Sequence, residues 1–369
     1  MARWDMSGGH EFAARRRTEG RGAWKSGTPS YSLAPMRQLV FHGPWKLAVE
    51  EAEPPPLAAD EVRVAVHSVG VCGSDIHGYA GINARRQPGM VMGHEAVGTV
   101  AEVGAAGEGL EPGQRVVVDP ILSCGRCDLC LAGHDNLCES RRIYGCVPGL
   151  AGAYAESFDV KAANCIPFEG AAPTEWGALV EPLSVGARAA RVGDIQQGDE
   201  VFVVGGGPIG VAAALAARRR GAARVVVSEP LGHRREVAAR LGLETLDPGW
   251  DELPRSAFPI AIECVGRSET LAASLAGVRP RGRVVFVGLA EDKIDLPTAP
   301  LMVGERAIQG SSAYAADDFR ATAEWVASGQ EDLAPLIESR VDLDELPGVF
   351  DGYAHGRLEA MKTLLQIGA

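Results

Sequence analysis

The chain has 369 residues, 46% of them hydrophobic and 23% charged, with a formal net charge of −12. This length exceeds what one compact core serves and fits two domains. The negative balance argues against nucleic acid or an anionic membrane surface as partner, and no apolar run approaches the roughly 18 residues of a membrane span.

Residues 1 to 35 contain Arg3, Arg15, Arg16, Arg17, Arg21 and Lys25, many small residues and no apolar periodicity, a composition expected to be disordered. Asp5, Glu11 and Glu19 weaken the alternative of an arginine-rich transit peptide, and no apolar signal-peptide core is present. Met36 opens a strand-like run, so the folded protein is expected to begin there, with the leader dispensable.

From Lys46 to about Gly98, short alternating runs such as residues 61–66 are punctuated by Pro and Gly, and residues 97–104 and 115–118 continue them. This pattern predicts half-buried antiparallel strands in a small barrel-like domain. Within it stands Gly70-Val71-Cys72-Gly73-Ser74-Asp75-Ile76-His77, followed by Gly93-His94-Glu95. A thiolate (Cys72), an imidazole (His94) and a carboxylate (Glu95) meeting around one cation make a three-ligand zinc site that keeps a fourth position open for substrate.

Next come Cys124, Cys127, Cys130 and Cys138, in the pattern C-x2-C-x2-C-x7-C. Four thiolates in a stretch with few large apolar residues suit a closed, structural zinc site; two disulfides or an iron-sulfur cluster could use the same residues. Half of the eight cysteines crowded at metal-ligand spacing favours a reducing, cytoplasmic setting. Cys146, Cys165 and Cys264 have no metal-spaced partners and are taken as structural.

At Glu200 the character changes. Residues 201–204 are a continuous apolar run, as in a parallel strand buried on both faces. The turn Gly205-Gly206-Gly207-Pro208-Ile209-Gly210 follows, then a helix over 211–220 and a second strand, 224–228, ending at Glu229. A G-x-G-x-x-G between strand and helix, with an acid roughly 20 residues on, is a dinucleotide fingerprint. Its glycines let a pyrophosphate approach the helix N-terminus, and Glu229 can accept from the adenosine ribose and repel a 2′-phosphate, which favours NAD(H). Arg234 and Arg235 pull the other way. Helices over 234–241 and 269–277 alternate with strands over 260–264, 283–288 and 307–314, so this half reads as a doubly wound α/β domain.

With Cys72, His94-Glu95, the four-cysteine stretch, Glu181-Pro182-Leu183 and the glycine turn in one order, the chain from Met36 to Ile367 resembles the zinc-dependent medium-chain dehydrogenases, most of all the sorbitol, butanediol and threonine dehydrogenase branch. The resemblance implies a GroES-like β-barrel catalytic domain (residues 36–184 and 319–369) and a Rossmann NAD-binding domain (185–318), with the active site in the cleft. It implies Cys72 and His94 as ligands of a catalytic zinc, with Glu95 a third ligand or an outer carboxylate, and Glu181 a carboxylate that binds zinc directly or through water. It also implies Ser74 and His77 as a proton relay, Asp75 as an orienting residue and Arg234 as a contact at the adenosine end of the cofactor.

The function expected is hydride transfer between NAD and a secondary alcohol: a polyol, cyclitol, vicinal diol or β-hydroxy amino acid. A homodimer or homotetramer is expected. A zinc-free enone or quinone reductase on the same fold, and a dinucleotide-binding protein without catalysis, are the rival readings. The loop 78–89, with Arg85 and Arg86, is where specificity is sought: these arginines meet an anionic or hydroxyl-rich substrate, or they face water.

Overall fold

A computed structural model describes residues 35–107 and 109–367. The expectation for the leader therefore lies outside the described residues, save for Pro35.

The strand Glu61–Gly70 is the axis of the first half. Val62, Val64 and Val66 turn inward from alternate positions and are buried, while Ala65 and His67 face out. This strand pairs antiparallel with Glu95–Val103, which carries the sheet on to Arg115–Val118 and Cys165–Pro167, and Ser157–Lys161 also pairs with it. On its other side lies a strand from far later in the chain, Thr363–Gln366, antiparallel with Leu364 opposite Gly70, and beyond that Ser339–Val341. Residues on both sides of the α/β half thus build one sheet.

The α/β half is a parallel sheet ordered Glu244–Leu246, Arg224–Ser228, Glu200–Val204, Phe258–Glu263, Val278–Phe286, Ala307–Gly310. The order reverses between Glu200–Val204 and Phe258–Glu263, the crevice where doubly wound sheets bind ligands. Val201, Phe202 and Val203 have no exposed surface, as a strand covered on both faces requires. The helix after the glycine turn starts at Pro208, earlier than the apolar pattern indicates, because a proline in the first turn loses no hydrogen bond there.

The last parallel strand stops at Gly310 rather than Tyr314. Ala313 adopts φ +47°, which no strand continues through, and the segment turns toward the cysteine lobe. There the Asn136 side chain donates to the Ser312 carbonyl at 2.8 Å, and the Asp135 carboxylate accepts from the Ala316 amide. The two halves share one apolar core: Val97, Val117 and Phe168 of the barrel pack in the same cluster as Leu183, Val203 and Val211. Among the described residues no helix is long and apolar enough to cross a membrane.

Candidate active site

Cys72 precedes the short helix Gly73–Tyr79, and His94 and Glu95 lie at the start of the neighbouring strand Glu95–Val103. Their donor atoms all lie within 4.8 Å of one another. Gly70 is what makes room: a Cβ there would come within 1.9 Å of Glu95 Oε2.

Glu95 and His94 are each held by a buried partner. Lys362, immediately before the strand Thr363–Gln366, sends its ammonium to both oxygens of Glu95, at 2.9 and 2.7 Å, with 4% and 1% of the two residues exposed. Burial works against a charged lysine, but the Glu95 carboxylate outweighs it and keeps Lys362 protonated. Behind His94, Asp75 Oδ2 stands 3.4 Å from Nδ1, while Asp75 Oδ1 accepts from Arg86 at 2.6 Å and Oδ2 from the Tyr154 hydroxyl at 3.0 Å. Burial alone would raise Asp75; His94 and Arg86 hold its carboxyl down at about 2 instead. This carboxylate fixes the imidazole ring so that Nε2 is left for a metal.

A second thiol near the site is Cys146, which its spacing alone marks as structural. Its Sγ lies 3.6 Å from His94 Nδ1 and accepts from Arg86 at 3.3 Å, and it lines the same cavity as Ser74, His94 and Glu181. Burial would push the His94 imidazole toward neutrality, but Cys146, Asp75 and Cys72 favour a positive charge there. A cluster of negative donors that draws a cation suits zinc.

Glu181, in the first turn of the helix Val180–Val192, lines the cavity but lies outside the mutual 4.8 Å set. Desolvation, aided by Glu95 and opposed by His94 and Lys362, raises its carboxyl to about 7. Beside it is the buried Tyr314, whose hydroxyl lacks a partner of full hydrogen-bond geometry among the described residues. Ser74 also lines the cavity, its Oγ 3.3 Å from Cys72 Sγ. His77 is exposed on the helix Gly73–Tyr79 and outside the cavity lining, so the structure does not bring Ser74 and His77 together.

In the cysteine lobe, Cys127 and Cys130 sulfurs are 3.4 Å apart and those of Cys124 and Cys130 3.9 Å. Four sulfurs roughly 2.3 Å from one tetrahedral zinc stand about 3.8 Å from each other, whereas a disulfide needs about 2.05 Å. All four sulfurs lie within 4.8 Å, and none of the eight cysteines is in a disulfide. That spacing suits one ion better than a cluster of several irons. Backbone N–H groups of Arg126 and Cys127 hold the Cys124 thiol down at about 6.

At the dinucleotide end, Gly205 takes φ +96°, and a Cβ on Gly210 would lie 1.7 Å from the Gly205 carbonyl. Gly207 caps the helix beginning at Pro208 and Ile209, where a pyrophosphate gains most from the free N–H groups. Glu229 is buried; its Oε2 accepts from Gly206 N–H and its Oε1 from Leu231 N–H, both at 2.8 Å. Arg235 is committed to Asp247 at 2.7 Å and to the Glu229 carbonyl at 2.6 Å. Arg234 instead reaches over Gly207, and its buried Nε has no partner among the described residues.

A half-buried thiol with a buried imidazole and carboxylate, grouped beside a cavity that the imidazole lines, together with a dinucleotide crevice, define a metal-assisted, nicotinamide-linked dehydrogenase. Two family models match the chain: the alcohol dehydrogenase GroES-like domain over residues 58–170 and the zinc-binding dehydrogenase over residues 208–328. Human sorbitol dehydrogenase is 33% identical over 334 residues, covering 86% of this chain and 92% of that protein. The 2-dehydro-3-deoxy-L-galactonate 5-dehydrogenase of Pseudoalteromonas atlantica is 33% identical over 84% of this chain and 93% of its own length. Among solved structures, L-idonate 5-dehydrogenase from Escherichia coli superimposes with a TM-score of 0.84 at 26% identity, covering 90% of this chain and 99% of that one. The chain belongs to the zinc-dependent medium-chain alcohol dehydrogenases, on the sorbitol dehydrogenase-like branch. It is an oxidoreductase that transfers a hydride between a secondary alcohol and NAD, with zinc and NAD(H) as cofactors.

Proposed function

We propose that Cys72, His94 and Glu95 hold the catalytic zinc, that Cys124, Cys127, Cys130 and Cys138 hold a structural one, and that the substrate is a polyol or a related diol. The observation that carries this reading is the mutual 4.8 Å grouping of the Cys72, His94 and Glu95 donors beside a cavity of about 770 Å³ that His94 itself lines. When bound, zinc supplies the Lewis acidity that eases loss of the hydroxyl proton, and the nicotinamide supplies the hydride acceptor.

The chain's own residues do the rest. Asp75 and Lys362 orient His94 and Glu95. Ser74 Oγ, lining the cavity, accepts the hydroxyl proton and hands it toward solvent through His77, which requires a bridging water because the two side chains do not touch. Glu181 lines the same cavity as a carboxyl group able to bind a cation or hold a proton. Gly205, Gly207, Pro208, Ile209 and Gly210 receive the pyrophosphate, Glu229 accepts from the adenosine ribose, and Arg234 lies against the adenosine end. Its relatives' polyol and sugar-acid names support the substrate class. The reduced cysteines support a cytoplasmic location. Met302 and Val303, 76% and 84% exposed just before the edge strand Ala307–Gly310, support self-association.

Metal analysis together with NADH formation over a panel of secondary alcohols tests the reading. Two zinc ions per wild-type chain and one in Cys72→Ala, with activity lost and NADH still bound, are expected. One zinc in the wild type, held by the cysteine lobe alone, would overturn it in favour of a zinc-free reductase.

A further inference from the structure

The two arginines of the loop after the helix Gly73–Tyr79 have opposite fates. Arg86 is buried and neutralised by Asp75 at 2.6 Å. Arg85 is exposed on the cavity wall, and its one hydrogen bond among the described residues is made by the backbone, Arg85 N–H to Asn83 Oδ1 at 3.1 Å. A third arginine, Arg141, is half-buried on the same cavity, with a single long contact from Nη2 to Ser312 Oγ at 3.4 Å. Neither Arg85 nor Arg141 comes within salt-bridge distance of a carboxylate among the described residues, in a chain with 48 acidic side chains against 36 basic ones. Two carboxyl groups, Glu139 and Glu181, also line the cavity, and neither is within salt-bridge distance of Arg85 or Arg141, so both guanidiniums remain free for a ligand.

We infer that the substrate carries an anionic group, a carboxylate or a phosphate, away from the hydroxyl that reacts, and that Arg85 and Arg141 bind it. This rests on the dehydrogenase reading of the same cavity. Buried His94 (7% exposed) and exposed Arg85 line the same cavity, so a substrate that reaches both has its reacting end in the interior and its anionic end toward solvent. A cavity of about 770 Å³ holds a six-carbon chain with a charged terminus. Guanidinium planes match carboxylate and phosphate oxygens two at a time, which hydroxyls of a neutral polyol cannot equal. Because solvent reaches Arg85, screening limits the gain, and about a tenfold advantage, equivalent to about 1.4 kcal/mol, is expected.

The test follows NADH formation by the zinc-loaded full chain on matched sets: hexitols, the aldonates of the same configurations, and the corresponding hexitol phosphates. One charged set is expected to exceed the neutral set in kcat/KM by about tenfold. The difference should lie mainly in KM and shrink at raised ionic strength; the favoured set tells carboxylate from phosphate. Arg85→Ala/Arg141→Ala should bring the charged-to-neutral ratio toward one, and Arg85→Lys/Arg141→Lys should keep part of it. Wild-type enzyme that turns over neutral hexitols as efficiently as charged ones, or a ratio unmoved in the double alanine variant, overturns the inference and leaves the dehydrogenase reading intact. No NADH from these sets but NADH from other secondary alcohols overturns the inference alone, and no NADH from the whole alcohol panel removes the dehydrogenase reading and the inference with it.

Discussion

Lys362 ties a late stretch of chain to the proposed zinc shell, and it is the residue whose loss should be felt most sharply. Removing one partner of a buried pair leaves an uncompensated charge, which costs on the order of 3–5 kcal/mol. Lys362→Met should therefore lower the urea midpoint of the metal-free protein markedly, with Lys362→Arg recovering part of the loss; equal midpoints for wild type and Lys362→Met would show that Glu95 is not paired in solution. Glu229 bears on cofactor choice. A carboxylate beside a 2′-phosphate repels it, and even about 2.7 kcal/mol remaining after screening gives roughly a hundredfold preference for NAD. With Arg235 bound to Asp247, Arg234 alone is left to oppose this. Comparison of kcat/KM for the two cofactors should show that preference, narrowed in Glu229→Ala; a wild-type preference for NADP would refute the role given to Glu229.

The cysteine lobe is an element with almost no core of its own. Its helix Asp128–Leu131 has no buried residue, so the lobe is expected to depend on the proposed metal and on its contacts with residues 312–316. Cys127→Ala should lose one zinc and lower the melting temperature, because a structural metal's binding energy is also folding energy; an unchanged melting temperature would exclude that dependence. This lobe, the glycine turn and Cys72 with His94-Glu95 were legible because each is local: a few residues at fixed spacing carry the chemistry. Asp75, inside the motif, was legible with it, but the distant supports of the site were not, for the opposite reason. Lys362 lies 267 positions from Glu95 and Cys146 lies 52 from His94, separations at which no periodicity or spacing connects the residues. Arg85 and Arg86 look alike in sequence, and only the packing of Arg86 against Asp75 separates them. His77 is legible as a relay from its position in the motif, but its exposure, which makes a bridging water necessary, follows only from the helix that carries it.

At the scale of the molecule, the seam between barrel and α/β half carries a titratable strain. Asp119 is 7% exposed, and desolvation, with Asp135 adding repulsion, raises its carboxyl to about 7 despite the Ile121 N–H it accepts. The folded state then holds a proton that the unfolded state has lost between about pH 4 and pH 7, so stability falls as pH rises through that window. Asp119→Asn keeps an acceptor for Ile121 and should melt higher than wild type at pH 8 but not at pH 4; parallel melting curves across that range would contradict the shift. The pairing of Thr363–Gln366 with Glu61–Gly70 also has a consequence for biosynthesis. The ribosome delivers residues 61–103 long before 339–366, and in the interval the barrel sheet lacks two strands while Glu95 lacks its lysine. The parallel sheet over 200–310 is complete within its own stretch and can fold as it emerges, so the half made first has to be finished last. During synthesis its open strand edge is the surface that a chaperone, or another nascent chain, meets.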